Sequence, residues 1–162
     1  VRFATWDEID LEKRLWSIPA ARMKMQRPHV VPLSTGAMAI LQRVKILYGD
    51  SGFIFPGIKN PEKAISENTL LDCIAQIGYH RAATTHGFRA TFSTIANEAG
   101  FSADAIERAL AHQEKSAVRA AYNRGVYLKE RAELMQWWSD HLHHLEHGAD
   151  IVPIGRKAAA GK

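Results

Sequence analysis

The chain has 162 residues, of which 46% are hydrophobic, and this is enough to bury the core of one globular domain. A net charge of +4 is only mildly basic and does not by itself indicate a nucleic-acid partner. The sequence lacks both a run of about 18 uncharged apolar residues and the basic start of a signal peptide, so we expect a cytoplasmic protein without a membrane segment. Because the first residue is Val1, we also expect a fragment of a longer protein.

The distribution of cysteine and of charge is more informative than the totals. The single cysteine, Cys73, excludes an internal disulfide, and its apolar neighbours predict a buried thiol on a helix. The segment from Lys13 to Lys45 contains seven basic residues and no acidic residue. Such a segment favours either a polyanionic partner or a solvated basic face.

Two short β-favouring runs predict an antiparallel hairpin near the N-terminus. They are residues 15–19 and 29–33, and the basic connection between them places Lys24 near the tip. Their prolines fit strand ends or an edge strand. Ser34 then predicts the N-cap of a helix that ends near Gly49. The apolar positions of that helix are Met38, Leu41, Val44 and Leu47.

Glycines divide the middle of the chain into shorter elements. Residues 52–57 predict an extended piece, and Ser66 predicts the cap of a helix that runs to about residue 77 and ends at Gly78. A second helix is expected from about Thr85 to Glu98, with Gly100 as its stop. Its expected core stripe consists of Phe88, Phe92, Ile95 and Ala99.

The C-terminal part of the chain predicts three further helical stretches. Ser102 is the expected cap of the first, which carries Ile106, Ala109 and Leu110 inward. A shorter stretch surrounds Tyr122, and residues 128–145 form a long amphipathic helix with its apolar side at Leu134, Trp138, Leu142 and Leu145. We therefore predict an α+β, mainly α fold with a small antiparallel β-sheet near the N-terminus. Residues 1–147 form the domain, and residues 148–162 form a flexible tail.

Several polar side chains lie at positions that favour the binding of an anion. His86 and Arg89 fall on the first turn of a helix, where the N–H groups and the helix dipole favour a phosphate. An isolated pair of this kind more often caps the helix or pairs with a carboxylate. His112 at a helix end, Tyr122 packed beside valines and Lys24 in solvent also have purely structural interpretations.

Taken together, these residues resemble the tyrosine recombinase family, and in particular phage and prophage integrases. Thr85-His-Gly-Phe-Arg89 is similar to the central box of that family, Leu110-Ala-His112 to its third box and Ala121-Tyr122-Asn-Arg to its nucleophile segment. The segment from Trp16 to Ser34 is similar to its hairpin, including the lysine, which is Lys24 here. Residues 1–147 therefore correspond to its catalytic domain. The first catalytic arginine of the family lies upstream of the segment that begins at Val1, so we expect it, and the DNA-binding domains, to be missing from this chain.

The resemblance implies a site-specific DNA recombinase that requires neither a cofactor nor a metal. The Tyr122 phenolate attacks a DNA phosphodiester, which leaves a 3′-phosphotyrosyl link and a free 5′-hydroxyl. Arg89 clamps the phosphate, His86 and His112 donate hydrogen bonds to it or move protons, and Lys24 protonates the leaving oxygen. The partners implied are double-stranded DNA attachment sites and three further copies of the chain, in a homotetramer on DNA.

Three alternatives remain open from the sequence. A type IB topoisomerase has the same catalytic constellation but relaxes supercoils without exchanging partners. A truncated chain is also consistent with a DNA-binding module that has no chemistry of its own. The histidine-rich stretch 141–147 suggests a metal site in which His147 shares a helix face with His143 or His144.

Overall fold

A computed structural model describes residues 1–24, 26–50, 52–112 and 127–148 of the chain. Near the N-terminus, strands β1 (Ile9–Asp10), β2 (Leu15–Ile18) and β3 (His29–Pro32) form an antiparallel sheet in the order β1-β2-β3. The pairing of Ile18 with His29 closes the predicted hairpin. Pro32 ends an edge strand, where its missing N–H breaks no ladder, as predicted.

Five helices follow the sheet within the described residues. They are α1 (Thr35–Tyr48), α2 (Thr69–Ile74), α3 (Gly87–Glu98), α4 (Ala103–Ala109) and α5 (Leu128–His147). The mainly α, α+β prediction is confirmed. The expected helix around Tyr122 lies outside the described residues, and so does the tail beyond residue 148. Within the described ranges, no helix is both long enough and apolar enough to span a membrane.

Local capping explains where α1 begins and ends. Ser34 Oγ accepts the Ala37 N–H at 3.2 Å, and α1 ends at Gly49, where φ is 82°. The predicted cap at Ser66 is wrong, because its hydroxyl bonds the Thr69 hydroxyl and the N-cap of α2 is Asn68, two residues later than expected. Ser102 stands at the N-cap of α4 without a side-chain cap bond.

Two apolar clusters form the core. In the first, α3, α4 and α5 bury Phe92, Ala96, Ala105, Ile106, Leu110 and Leu134. Trp138 packs edge-on against Phe92 with ring centroids 5.3 Å apart, so this tryptophan of α5 faces the chain's own core. In the second cluster, the sheet and α1 enclose Ala4, Leu41 and Ile54. Helix α5 also contacts β3 and α1, and so it joins the two clusters.

Six burial predictions fail because the elements concerned are covered over only part of their length. Cys73 is exposed, since α2 buries only Ile74, its neighbour in sequence, which points about 100° away around the helix. Phe88 is 58% exposed, because the core covers α3 from Phe92 onward and not its first turn. Leu47 near the end of α1 is also exposed, as are Ala99, Leu142 and Leu145.

Candidate active site

Arg89 lies on the first turn of α3, close to the end of α4. The start of α3 is fixed by a bond from the Gly87 N–H to Thr84 Oγ1, at 3.0 Å. The Arg89 guanidinium donates to the Leu110 carbonyl, and its Nη2 lies 3.4 Å from His112 Nε2. The structure thus brings together two predicted site residues that are 23 positions apart, beside a helix N-terminus that favours anions.

A tight turn after α4 presents His112 to Arg89. The Ala111 N–H donates to the Arg108 carbonyl at 3.1 Å, and the His112 N–H donates to the Glu107 carbonyl at 2.9 Å. These two bonds define a Schellman ending, which requires a left-handed residue at the position of Ala111. Ala111 has a φ of 57° in a place where glycine is usual, so the backbone here is strained.

The side chain of Glu107 orients the His112 ring. Glu107 Oε2 lies 2.8 Å from His112 Nδ1, and a carboxylate can only accept, so Nδ1 carries the proton. The Nε2 atom therefore points towards Arg89 and accepts from it, or donates to an anion once the ring is protonated. Both side chains are about half exposed, so this pair contributes little to the stability of the fold. Its main effect is to orient the His112 ring.

A second arginine–histidine pair lies close enough to Arg89 for the charge of that guanidinium to act on it. Arg131 of α5 is 1% exposed; its guanidinium donates to the Val30 carbonyl at 2.5 Å and lies 3.4 Å from His29 Nε2. Burial, followed by the charges of Arg131 and Arg89, lowers the pKa of His29. We call Arg89, His112, Arg131 and His29 the arginine–histidine cluster.

Three members of this arrangement were missed by sequence reasoning: Glu107, His29 and Arg131. The burial of Arg131 could have been predicted from the sequence. This residue precedes Leu134 by three positions and Trp138 by seven, so it falls on the apolar stripe of α5. A charged residue in such a stripe is buried only if it has partners. No comparable pattern marks His29 or Glu107.

His86 and Lys24 remain apart from the cluster. Both are exposed, and neither side chain forms a hydrogen bond or an ion pair with the described part of the chain. His86 stands at the N-cap of α3 without a side-chain cap bond, so the structural alternative of a capping histidine is not observed. Tyr122, the predicted nucleophile, lies outside the described residues.

The connection that carries Lys24 is anchored at its root. The Arg22 guanidinium pairs with the Glu8 carboxylate and donates to the Phe3 carbonyl, and Trp16 Nε1 donates to the same carboxylate at 3.0 Å. Three of the seven basic residues between positions 13 and 45 are thus paired with acids outside that segment. These pairs are Lys13–Asp10, Arg22–Glu8 and Lys45–Asp50.

Comparison with known proteins identifies the family. Residues 2–127 match the family model described as the Phage integrase family. The chain belongs to this family. The prophage integrase IntA of Escherichia coli (strain K12) is 46% identical over 149 residues, which cover 92% of this chain and 36% of that protein. The integrase of Enterobacteria phage P4 is 42% identical over 158 residues, covering 88% of this chain and 36% of the relative.

A third relative is the integrase of Shigella phage Sf6. It is 43% identical over 143 residues, and the match covers 88% of this chain. No solved structure matches the chain. The chain spans 36% to 37% of the length of these three relatives. The family expected from the sequence motifs is confirmed.

A separate group of polar side chains lies at the end of α5. His143, Glu146 and His147 offer ligand atoms within 4.8 Å of one another, and all three are exposed. Spacings of three and four residues bring side chains together on any helix. Metal analysis of the purified protein distinguishes a metal site from a solvated helix end here.

Proposed function

We propose that this chain is the catalytic part of a site-specific DNA recombinase, an integrase that cleaves and rejoins DNA through Tyr122. The observation that carries the proposal is the contact between Arg89 and His112 at the N-terminal turn of α3. This contact supports a phosphate site, and membership of the phage integrase family favours a phosphodiester of DNA as the group that binds there. The same membership favours recombination over the relaxation of supercoils by a type IB topoisomerase.

Arg89 is the phosphate clamp in this proposal. A guanidinium offers parallel N–H donors that match two non-bridging oxygens of a phosphodiester. Its bond to the Leu110 carbonyl holds the side chain towards His112, which reduces the freedom lost when DNA binds. The upstream arginine expected from the family is its natural partner on the same phosphate.

The remaining residues move protons and stabilise charge. The Tyr122 oxygen forms a bond to phosphorus as the bond from phosphorus to the 5′-oxygen breaks, so the phosphodiester energy is conserved without ATP. The phenol gives up its proton, and the Lys24 ammonium supplies one to the leaving 5′-oxygen. His86 and His112 donate hydrogen bonds to the transition state or carry the phenolic proton.

The partners follow from this chemistry. The substrate is double-stranded DNA carrying the attachment sites, bound by Arg89 and His112 and by exposed basic residues such as Lys24 and Arg27. We propose that four copies act together on two such sites. The reaction takes place in the cytoplasm and requires no cofactor, because protein cations provide the charge stabilisation.

A covalent-trapping experiment tests the proposal. It uses the chain extended upstream of Val1 to the length of its relatives and a nicked suicide substrate that loses its 5′-hydroxyl fragment. Tyr122→Phe should retain DNA binding and form no adduct. The matched control is Tyr48→Phe, at an exposed tyrosine that ends α1, and it should form adduct at the normal rate.

The outcomes separate the alternatives. Adduct formation by Tyr122→Phe contradicts the assignment of the nucleophile. DNA binding without adduct in the unsubstituted protein indicates a binding module. Relaxation of supercoiled DNA without exchange between two attachment sites indicates a topoisomerase.

A further inference from the structure

We infer that the contact of Arg131 with His29 and Val30 positions the hairpin, and with it Lys24, for protonation of the leaving oxygen. Arg131 is in this view a positioning residue, because it acts through β3 and does not touch the DNA. The inference rests on the proposed function, and it assigns a role to a buried arginine that the proposed chemistry does not otherwise use.

The first step is the geometry of the contact. Arg131 lies on the first turn of α5, and His29 and Val30 open β3, about a hundred residues earlier in the chain. The guanidinium donates to a main-chain carbonyl and faces a ring nitrogen, so it fixes both the strand and the side chain that begins it. With Nε2 facing a donor, the His29 ring accepts there and is neutral.

The second step links this contact to Lys24. Arg22 anchors the start of the connection through Glu8 and Phe3, and Arg131 anchors its end at His29. Lys24 lies between these two fixed points, five residues before His29. The ladder between β2 and β3 holds the two ends together. The reach of the Lys24 ammonium therefore depends on both anchors.

The third step concerns the choice of arginine. A buried guanidinium carries a large desolvation cost, and an apolar side chain of similar length is often as stable or more stable in such a place. Stability alone therefore does not explain a charged residue here. A guanidinium that donates to two acceptors on one strand fixes the position and orientation of that strand, which an apolar contact does not do.

The test measures single-turnover adduct formation by the extended protein on two matched substrates. One has the ordinary 5′-oxygen at the cleavage point, and the other has a bridging 5′-sulfur, whose thiolate departs without a proton. Arg131→Met and His29→Gln are compared with Lys24→Ala. Arg81→Met, at an exposed arginine before α3, is the matched control and should behave as the unsubstituted protein on both substrates.

On the oxygen substrate we expect Arg131→Met and His29→Gln to lose about ten- to a hundredfold in rate, with DNA affinity nearly unchanged, since small misplacements of a catalytic group have effects of this size. On the sulfur substrate the rate should return to within a few-fold of the unsubstituted protein, as for Lys24→Ala. An equal loss on both substrates, or no loss on either, overturns the inference. If Arg131→Met does not fold, as judged by circular dichroism, Arg131→Lys and His29→Gln decide the question.

Failure of the proposed function looks different. In that case the unsubstituted protein forms no adduct on either substrate, or Lys24→Ala is not rescued by sulfur. If the unsubstituted protein forms adduct normally and sulfur rescues Lys24→Ala but not Arg131→Met and His29→Gln, the proposed function stands and only the role of Arg131 is contradicted.

Discussion

Arg89 occupies a position in which the shape of its side chain matters as much as its charge. Its Nη2 donates to the Leu110 carbonyl and lies 3.4 Å from His112 Nε2, so one nitrogen of the guanidinium contacts both groups. A lysine at this position has a point charge and cannot make the same set of bonds at once.

Arg89→Lys should therefore slow adduct formation about 10²- to 10³-fold while weakening DNA binding far less, because the interaction is strongest with the transition state. Single-turnover trapping and a filter-binding titration measure the two effects. Arg81→Lys is the control. A variant that keeps a near-normal trapping rate would show that Arg89 does not contact the reacting phosphate.

At this scale the sequence predicted the identity of two contacting residues but not the network around them. Arg89 and His112 were found because each lies in a recognisable motif. Glu107 was missed because its role depends on the Schellman turn, which brings its carboxylate back to the ring of His112. The role of His29 depends on a partner about a hundred residues away, which no local pattern indicates.

Among the elements, α4 ends in a turn that contains an alanine with a left-handed backbone conformation. Ala111 occupies the left-handed position of a Schellman ending, which costs an L-residue roughly 1–2 kcal/mol. Glycine avoids this strain, although it loses about 0.5–1 kcal/mol through the greater entropy of its unfolded chain.

Ala111→Gly should therefore raise the free energy of unfolding by about 0.5–1 kcal/mol and the melting temperature by about 2 °C. Differential scanning calorimetry measures both. Ala109→Gly, within α4 itself, should instead lower stability by about 1 kcal/mol. A loss of stability in Ala111→Gly would contradict the assignment of strain to this turn.

The elements themselves were largely predictable, because their signals are local. Ser34 and Gly49 bracket α1, and the apolar spacing of α5 gave its bounds to within two residues. Burial was predicted less well, since it depends on which elements lie opposite. Phe88 belongs to the same stripe as Phe92, yet the core reaches only the second of them.

Across the whole molecule, the junction of β3 and α5 makes stability depend on pH. Burial and the charges of Arg131 and Arg89 hold the pKa of His29 below its ordinary value of 6.5. Between the lowered pKa and 6.5, the unfolded chain binds a proton that the folded chain does not. The free energy of unfolding is thus lowered as the pH falls below about 6.5, and the contribution of His29 is constant above it.

His29→Gln should reduce this dependence. We expect the difference in stability between pH 7.5 and pH 5.5, measured by urea unfolding, to be smaller in the variant than in the unsubstituted protein. His143→Gln, at an exposed histidine, controls for titration at the surface. An unchanged difference in His29→Gln would show that this imidazole does not stay neutral in the folded state.

The long separation between His29 and Arg131 also has a consequence for biosynthesis. The hairpin is synthesised before α5, and the guanidinium that contacts its second strand is made about a hundred residues later. Contacts of such high sequence separation form late in folding. In a nascent chain, β3 therefore lacks its contact with Arg131 until α5 has been synthesised.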